Sequence, residues 1–303
     1  MTTKLSSVLI AMSFFCALPA FSRTQGNLRY SVVVDKFENK TEDQRALGEE
    51  WSTLLTSQLH ESGHFIVVSQ SDAQLAALKE QLRGASGVTT QGRKTAQRAQ
   101  MTPVQLLVTG VITHLKGGAA DQGGGVVVGG VTIGANRSVT EIRATLQMID
   151  TSTGAVVAAK NFTGTAQGGG ITFRRNGSGN TIGSKRDSNL HAAFEKATAE
   201  VIPWMVAQLP SVPWRGSVVK VDQERIIINR GGREGVSVGD EFVVGESEVL
   251  RDPDTGEVLD EIIRERARIK VLRVNDKTAV CSVVTGTIGQ VVERMAVQHS
   301  NES

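Results

Sequence analysis

The chain has 303 residues, with 33 Lys and Arg against 31 Asp and Glu for a formal charge of +2. That length carries two ordinary domains and a core large enough to need no covalent staples, and the near balance of charge argues against a general polyanion binder, which carries a clear basic excess. Thirty-two glycines stand against nine Phe, three Trp and one Tyr, and the glycines are clustered.

The first 22 residues read as a secretory signal: Lys4, an apolar stretch from Leu5 to Leu18, the helix breaker Pro19, and small residues at Ala20 and Ser22. Cleavage is expected after Ser22, because the apolar run is too short to stay as a membrane helix. Cys16 would leave with the signal, so Cys281 has no disulfide partner. Phe14 and Phe15 stand where a lipoprotein signal wants small residues, which argues against lipidation at Cys16. No later apolar run reaches the roughly 18 residues of a transmembrane helix, but the short strands of a membrane β-barrel would escape that criterion.

Tyr30 to Val34 is a β-branched run suited to a buried strand, followed by a polar loop from Asp35 to Gln44. Leu47, Trp51, Leu54, Leu55 and Leu59 recur at helical spacing, and Gly63 sits where a helix ends. Phe65 to Val68 predicts a second strand, and Ser71 caps a second helix carrying Leu75, Leu78 and Leu82. Residues 84–100 read as a polar surface connection. Leu106 to Leu115 is a third strand and runs into the glycines at 117, 118 and 123–125. Then comes the clearest alternation in the chain, with Ile142, Ala144, Leu146 and Met148 on one side and Glu141, Arg143, Thr145 and Gln147 on the other. Asp150 to Gly154 turns the chain into a returning strand that enters a second glycine-rich stretch, 164–183. A last helix carries Leu190, Phe194, Ala197, Val201 and Met205.

This order predicts a layered α/β domain over residues 23–209, from which two glycine-rich excursions leave the sheet side by side. Pro210 to Pro213 reads as a stiff linker. Beyond it only strand signals occur, at 216–221, 225–229, 241–244, 266–274 and 278–284, separated by turn clusters, which predicts a small all-β barrel domain over 210–303. The charge divides accordingly: residues 211–303 hold 13 basic against 16 acidic side chains, and residues 1–210 hold 20 against 15.

The excursions can be flexible loops, or hairpins that become barrel strands only beside copies of themselves. A lone hairpin cannot satisfy its edges in lipid. Val126 to Ala135 has the length of a crossing strand; read as one strand, it places Val127, Val131, Ile133 and Ala135 toward lipid and Gly130, Thr132 and Gly134 toward a lumen. In the second excursion Phe162, Gly164 and Ala166 alternate with Thr163, Thr165 and Gln167, the latter three as lumen candidates. Ile171 and Phe173 have the parity of the polar set, so a bulge within Gly168 to Gly170 is needed to bring them to lipid. Arg174, Arg175, Lys185 and Arg186 flank the tip and suit a head-group rim.

From Arg29 to Leu209 the chain resembles the curli secretion channel family (CsgG/HfaB type). The resemblance is carried by VVVDKFENKT at 32–41, LLTSQLHESGHFIVVSQ at 54–70, LLVTGVIT at 106–113, the glycine run with VGGVTIG, and IRATLQMIDTSTGAVV at 142–157. It implies pore hairpins at about 116–139 and 161–188, a homo-oligomeric ring in the outer membrane with periplasmic domains, contact with outer-membrane lipid, exported protein subunits as cargo, and periplasmic accessory proteins. No catalytic residue, cofactor, metal or nucleic acid is implied. The family's channel members carry a longer aromatic loop after the first strand as a constriction, whereas Phe37 is the one aromatic of Asp35 to Gln44. The C-terminal part looks like small barrels appended to flagellar and cell-envelope proteins. Related folds also serve as soluble periplasmic interaction modules that form no pore, which is the alternative function.

His60-Glu61-Ser62-Gly63-His64 spells the zinc-protease pattern, but that chemistry needs both histidines on one continuing helix, and Gly63 interrupts it. The glycines at 123–130 lack the following Lys-Ser/Thr of a phosphate loop. Cys281 reads as a core residue, and the row Arg264, Arg266, Arg268, Lys270 as a solvated strand face.

Overall fold

A computed structural model describes residues 28–43, 45–69, 71–85, 104–117, 121–128, 131–175, 178–183, 186–256 and 258–299. The expected signal segment lies outside them, as does most of the 84–100 connection. The first unit contains strands β1 (Tyr30–Val34), β2 (Glu38–Asn39), β3 (Phe65–Val67), β4 (Leu106–Gly117), β5 (Asp121–Val128), β6 (Val131–Asp150), β7 (Val156–Arg175) and β8 (Ser178–Gly183), with helices α1 (Leu47–Glu61), α2 (Asp72–Ala85) and α3 (Arg186–Gln208). One sheet runs β3-β1-β4-β6-β7-β8, with β2 beside β4 and β5 beside β6. Strands β1, β3 and β4 are parallel and the later ones antiparallel.

The alternation in β6 decides the layering. Ile142, Ala144, Leu146 and Met148 are buried with Val32, Val108 and Ile112 against Trp51, Leu55, Phe194, Ala197 and Val201 of α1 and α3. Trp51 sits at the centre: its indole Nε1–H donates to Thr198 Oγ1 at 2.9 Å, and its ring meets Phe37 and Phe194 at 5.6 and 5.2 Å. Phe37 is therefore part of the core and cannot serve as a constriction aromatic. Two glycines let these layers approach. A Cβ at Gly164 would lie 1.9 Å from the Ala193 carbonyl oxygen of α3, and one at Gly48 1.8 Å from that of Phe37. On the other sheet face α2 packs Leu78 and Leu82 on Val33 and Leu107 and ties Lys79 to the buried Asp35.

The second unit is a closed barrel, β10-β13-β12-β11-β14-β9, formed by β9 (Arg215–Asp222), β10 (Arg225–Ile228), β11 (Glu241–Arg251), β12 (Val258–Val274), β13 (Ala279–Gly286) and β14 (Ala296–His299). Its core holds Val218, Ile226, Ile228, Phe242, Val244, Ile269, Val271 and Cys281. Beyond Gly245, β11 pairs with β12 alone, and the two form an arm that extends past the strands predicted at 241–244 and 266–274. The C-terminal strand β14 was also not foreseen.

The stretch expected to be a stiff linker is a packed joint. Leu209–Ser211 form a 3-10 turn, Val212 and Trp214 are buried, and Tyr30 Oη donates to the Val212 carbonyl at 2.9 Å. Arg215 then reaches back across the joint to Asp150, with Nη1 at 3.0 and 3.2 Å from its two carboxylate oxygens, and its Nε lies 3.5 Å from Glu261 of the arm. Arg29 N–H donates to the Glu234 carbonyl at 2.9 Å. One hydrophobic cluster consequently runs from the α/β layers into the barrel.

Candidate functional site: the glycine-rich strand tips

Strands β6 and β7 pair without interruption from Val131↔Arg175 to Met148↔Ala158, about twice the length needed to cover α3. Their lower parts belong to the body. Their upper parts, with β5 and β8 on the flanks, form a four-stranded ribbon beyond the helices. Among the described residues, the helical side-chain hydrogen bond nearest the tips on the inner face is Asn189 Nδ2–H donating to Ser138 Oγ at 2.8 Å.

Because directly opposed residues of a ladder share a face, the register assigns every tip residue to a side. Val126 opposes Ile133, Ile133 opposes Phe173, Ala135 opposes Ile171, and Val128 opposes Val131. This set continues down the strands through Arg137, opposite Gly169 on one side and Asp121 on the other, into Val139, Glu141 and Arg143, opposite Gln167, Thr165 and Thr163. The other face carries Thr132, Gly134, Asn136 and Ser138 opposite Arg174, Thr172, Gly170 and Gly168, and continues down into Thr140, Ile142 and Ala144. The apolar side of the sheet thus changes faces near residues 138–141. Below that level it looks toward α3; above it, it looks the opposite way. Val126, Ile133 and Val139 are exposed at 69, 38 and 42%, and none of the described residues covers them.

Several expectations are corrected by this register. Val126 to Ala135 is not one strand: the chain reverses between β5 and β6, so Val127 opposes Thr132 and leaves the face of Val131 and Ile133. No bulge interrupts β7 near Gly168, and Ile171 and Phe173 share the face of Thr163, Thr165 and Gln167. Those three polar residues therefore cannot line a lumen on the side opposite the lipid candidates. Phe162 and Ala166 are buried against the body, so the lower part of the second excursion is core packing. Thr132 and Gly134 do lie opposite Ile133 and Phe173 in face. Gly130 lies outside the described residues.

The charges at the ribbon are few. Asp121 opposes Arg137, an opposite-charge pair in register, while Arg174 and Arg175 stand at the β7 end. The zinc-protease pattern is not assembled, since α1 ends at Glu61 and Gly63 takes φ +69, leaving His64 outside the helix. Among the described residues no group of three His, Cys, Asp or Glu could hold a metal, and no helix is long and apolar enough to cross a membrane, which leaves crossing by strands untouched. Burial pushes the Cys281 thiol up to about 12, away from nucleophile chemistry.

Solved structures with similar folds include the hypothetical protein CT253 from Chlamydia trachomatis (12% identical, covering 60% of this chain and 99% of that chain, TM-score 0.37). A PelC dodecamer from Paraburkholderia phytofirmans is 16% identical (59 and 91%, TM-score 0.27), and the lipoprotein GNA1162 from Neisseria meningitidis is 16% identical (60 and 99%, TM-score 0.27). No curated protein sequence matches the chain. The model of the flagellar assembly protein T C-terminal domain matches residues 223–294, within the barrel. The family model for the curli production assembly/transport component CsgG matches residues 16–237. With most of its length matched, and with it both glycine-rich excursions, the chain belongs to the CsgG family of curli production assembly/transport components.

Proposed function

We propose that the protein is an oligomeric outer-membrane secretion channel for curli-type or adhesive protein subunits, a ring of periplasmic bodies whose tips close into one multi-chain β-barrel. The change of apolar face along continuous strands carries the reading. A loop in water gains nothing from an uncovered face of Val126, Val128, Val131, Ile133 and Val139, whereas a barrel wall needs an apolar outside and a small, polar inside. Val131–Val139 is nine residues, at the lower end of the roughly 9 to 11 that a tilted strand uses to cross, and its outward face carries one opposite-charge position, Arg137 opposite Asp121, toward the periplasmic end.

The edges give the second support. Among the described residues β5 pairs only with β6 and β8 only with β7, so each tip has two open edges. Open edges are not tolerated in lipid, and joining β8 of one copy to β5 of the next removes both. In the closed ring Thr132, Gly134, Asn136, Ser138 and Thr172 face the lumen, with Val127 joining them by register, and Ile171 and Phe173 face lipid beside Ile133. Cargo passes by diffusion through a lumen lined with small groups, with no bond made or broken.

The test is membrane fractionation combined with electron microscopy of detergent-extracted protein. Rings in the outer-membrane fraction, lost when 121–137 and 169–183 are replaced by short turns, are the expected result. A soluble periplasmic monomer, or unchanged membrane location after that replacement, would reject the channel in favour of a soluble interaction module.

A further inference from the structure

A cavity of about 440 Å³ lies where the two units meet. One wall comes from the α/β unit and includes Ser31, Ser69 and Gln105; the other comes from the barrel and includes Arg230, Arg233 and Lys277. Arg230 is the informative residue. It is 7% exposed and makes no ion pair among the described residues. Its Nε–H donates to the Arg215 carbonyl at 2.9 Å and its Nη1–H to the Asn229 carbonyl at 3.1 Å, and these neutral acceptors hold the guanidinium in place without neutralising it.

The one acid in the cavity wall is already engaged. Glu234 Oε1 accepts from Arg233 Nε–H at 2.8 Å and lies 2.6 Å from its Nη2, and Oε2 accepts from the Gly231 N–H at 2.9 Å. Three cations therefore face one committed carboxylate. Burying a guanidinium without a bonded counter-ion is unfavourable: burial weakens the hold of Arg230 on its proton, the Glu234 carboxylate nearby opposes that effect, and Arg233 adds to it. A planar fork of donors beside an ammonium group is the arrangement that recognises an oxyanion.

We propose that this cleft is a binding site for a small ligand bearing a phosphate or carboxylate group, held by Arg230 and Lys277 with help from Arg233. The site is independent of the channel reading. Because its walls belong to different units, the bound anion clamps the barrel to the α/β body.

The experiment is thermal unfolding of the full mature chain in sodium phosphate, sodium acetate and sodium chloride at matched pH and ionic strength. The expected result is a rise in Tm that saturates with phosphate or acetate and is absent in chloride; a response to phosphate alone identifies a phosphate ligand, and an equal response to acetate a carboxylate. Lys277→Gln, at an exposed position, should raise the half-saturating concentration about tenfold, the loss of one charge-assisted bond. Arg230→Lys keeps the charge but loses the fork and should weaken the response further. A chloride response equal to the others, or a Lys277→Gln protein responding like the parent, overturns the proposal and leaves Arg230 as a strut for the Arg215 carbonyl.

Discussion

Gly164 shows how one residue can be misread from composition. It stands at the start of a glycine-rich excursion, yet its missing side chain lets α3 lie on β7, and the obstruction is a backbone oxygen that cannot rotate away. Gly164→Ala should destabilise the body by about 1–3 kcal/mol, the usual cost of overpacking, measurable by urea denaturation; Gly63→Ala, with open space around it, should be milder and cost through its left-handed φ alone. Cys281 makes a pH prediction. Its folded thiol titrates near 12, far above the value of about 8.5 in an unfolded chain, so the folded form holds the proton more tightly. Stability from this group is complete below about pH 8.5 and is lost as pH rises toward 12. Cys281→Val should flatten the fall in stability between pH 9 and 11, and in the parent protein thiol reagents at pH 8 should label Cys281 only on unfolding.

At the scale of elements, the body was legible because its periods are strong. The helical spacing from Leu47 to Leu59 and the two-residue period from Glu141 to Met148 each fix a buried face, and the structure buries those faces. The tips were legible as extended and apolar but not in their facing. A run of valines and glycines has no period of its own, so the position of the chain reversal decides whether Val127 goes with Ile133 or with Thr132, and the signal for it is the Gly129-Gly130 dipeptide, which suits a two-residue hairpin connection. The same absence hid the crossover of the apolar side. The barrel arm is only half legible: the alternate row Arg264, Arg266, Arg268, Lys270 reads as a strand face, but nothing local marks Glu246 and Glu248 as its partners, which pair across the strands as Arg264–Glu248 and Arg266–Glu246 at 2.6 and 3.3 Å. The register yields a paired prediction. Ile133→Arg should cost about 2–4 kcal/mol of membrane stability and remove rings from the outer-membrane fraction, whereas Thr132→Glu, one residue along and opposite Arg174, should leave assembly intact and alter only passage of cargo. Equal losses of assembly would contradict the assignment of faces.

For the whole molecule, the division into two units was visible in the shift from mixed to all-strand signals and in the change of charge sign, but the nature of the joint was not. A Pro-Ser-Val-Pro segment suggests a spacer when only local stiffness is considered. Its burial depends on Tyr30 and Asp150, which lie far away in sequence and whose roles no local pattern announces. Asp150→Ala should therefore separate the units more than it unfolds either one. The expected loss is on the order of 2–3 kcal/mol, below the figure of about 3–5 for a fully buried pair because Arg215 keeps some contact with water, and limited proteolysis should show new cutting between residues 209 and 215.

The uninterrupted pairing of β6 with β7 through body and tip has a mechanical meaning. No bulge interrupts the pairing between the two levels, but Gly168, Gly169 and Gly170 stand in β7 opposite Ser138, Arg137 and Asn136, where the body gives way to the tip, so the tip is joined to its base through a stretch of β7 without side chains. In the ring proposed above, that stretch would let the upper ends adjust to one another while the bases stay packed on α3, so the exit would be shaped at the tips themselves rather than by the tilt of whole subunits.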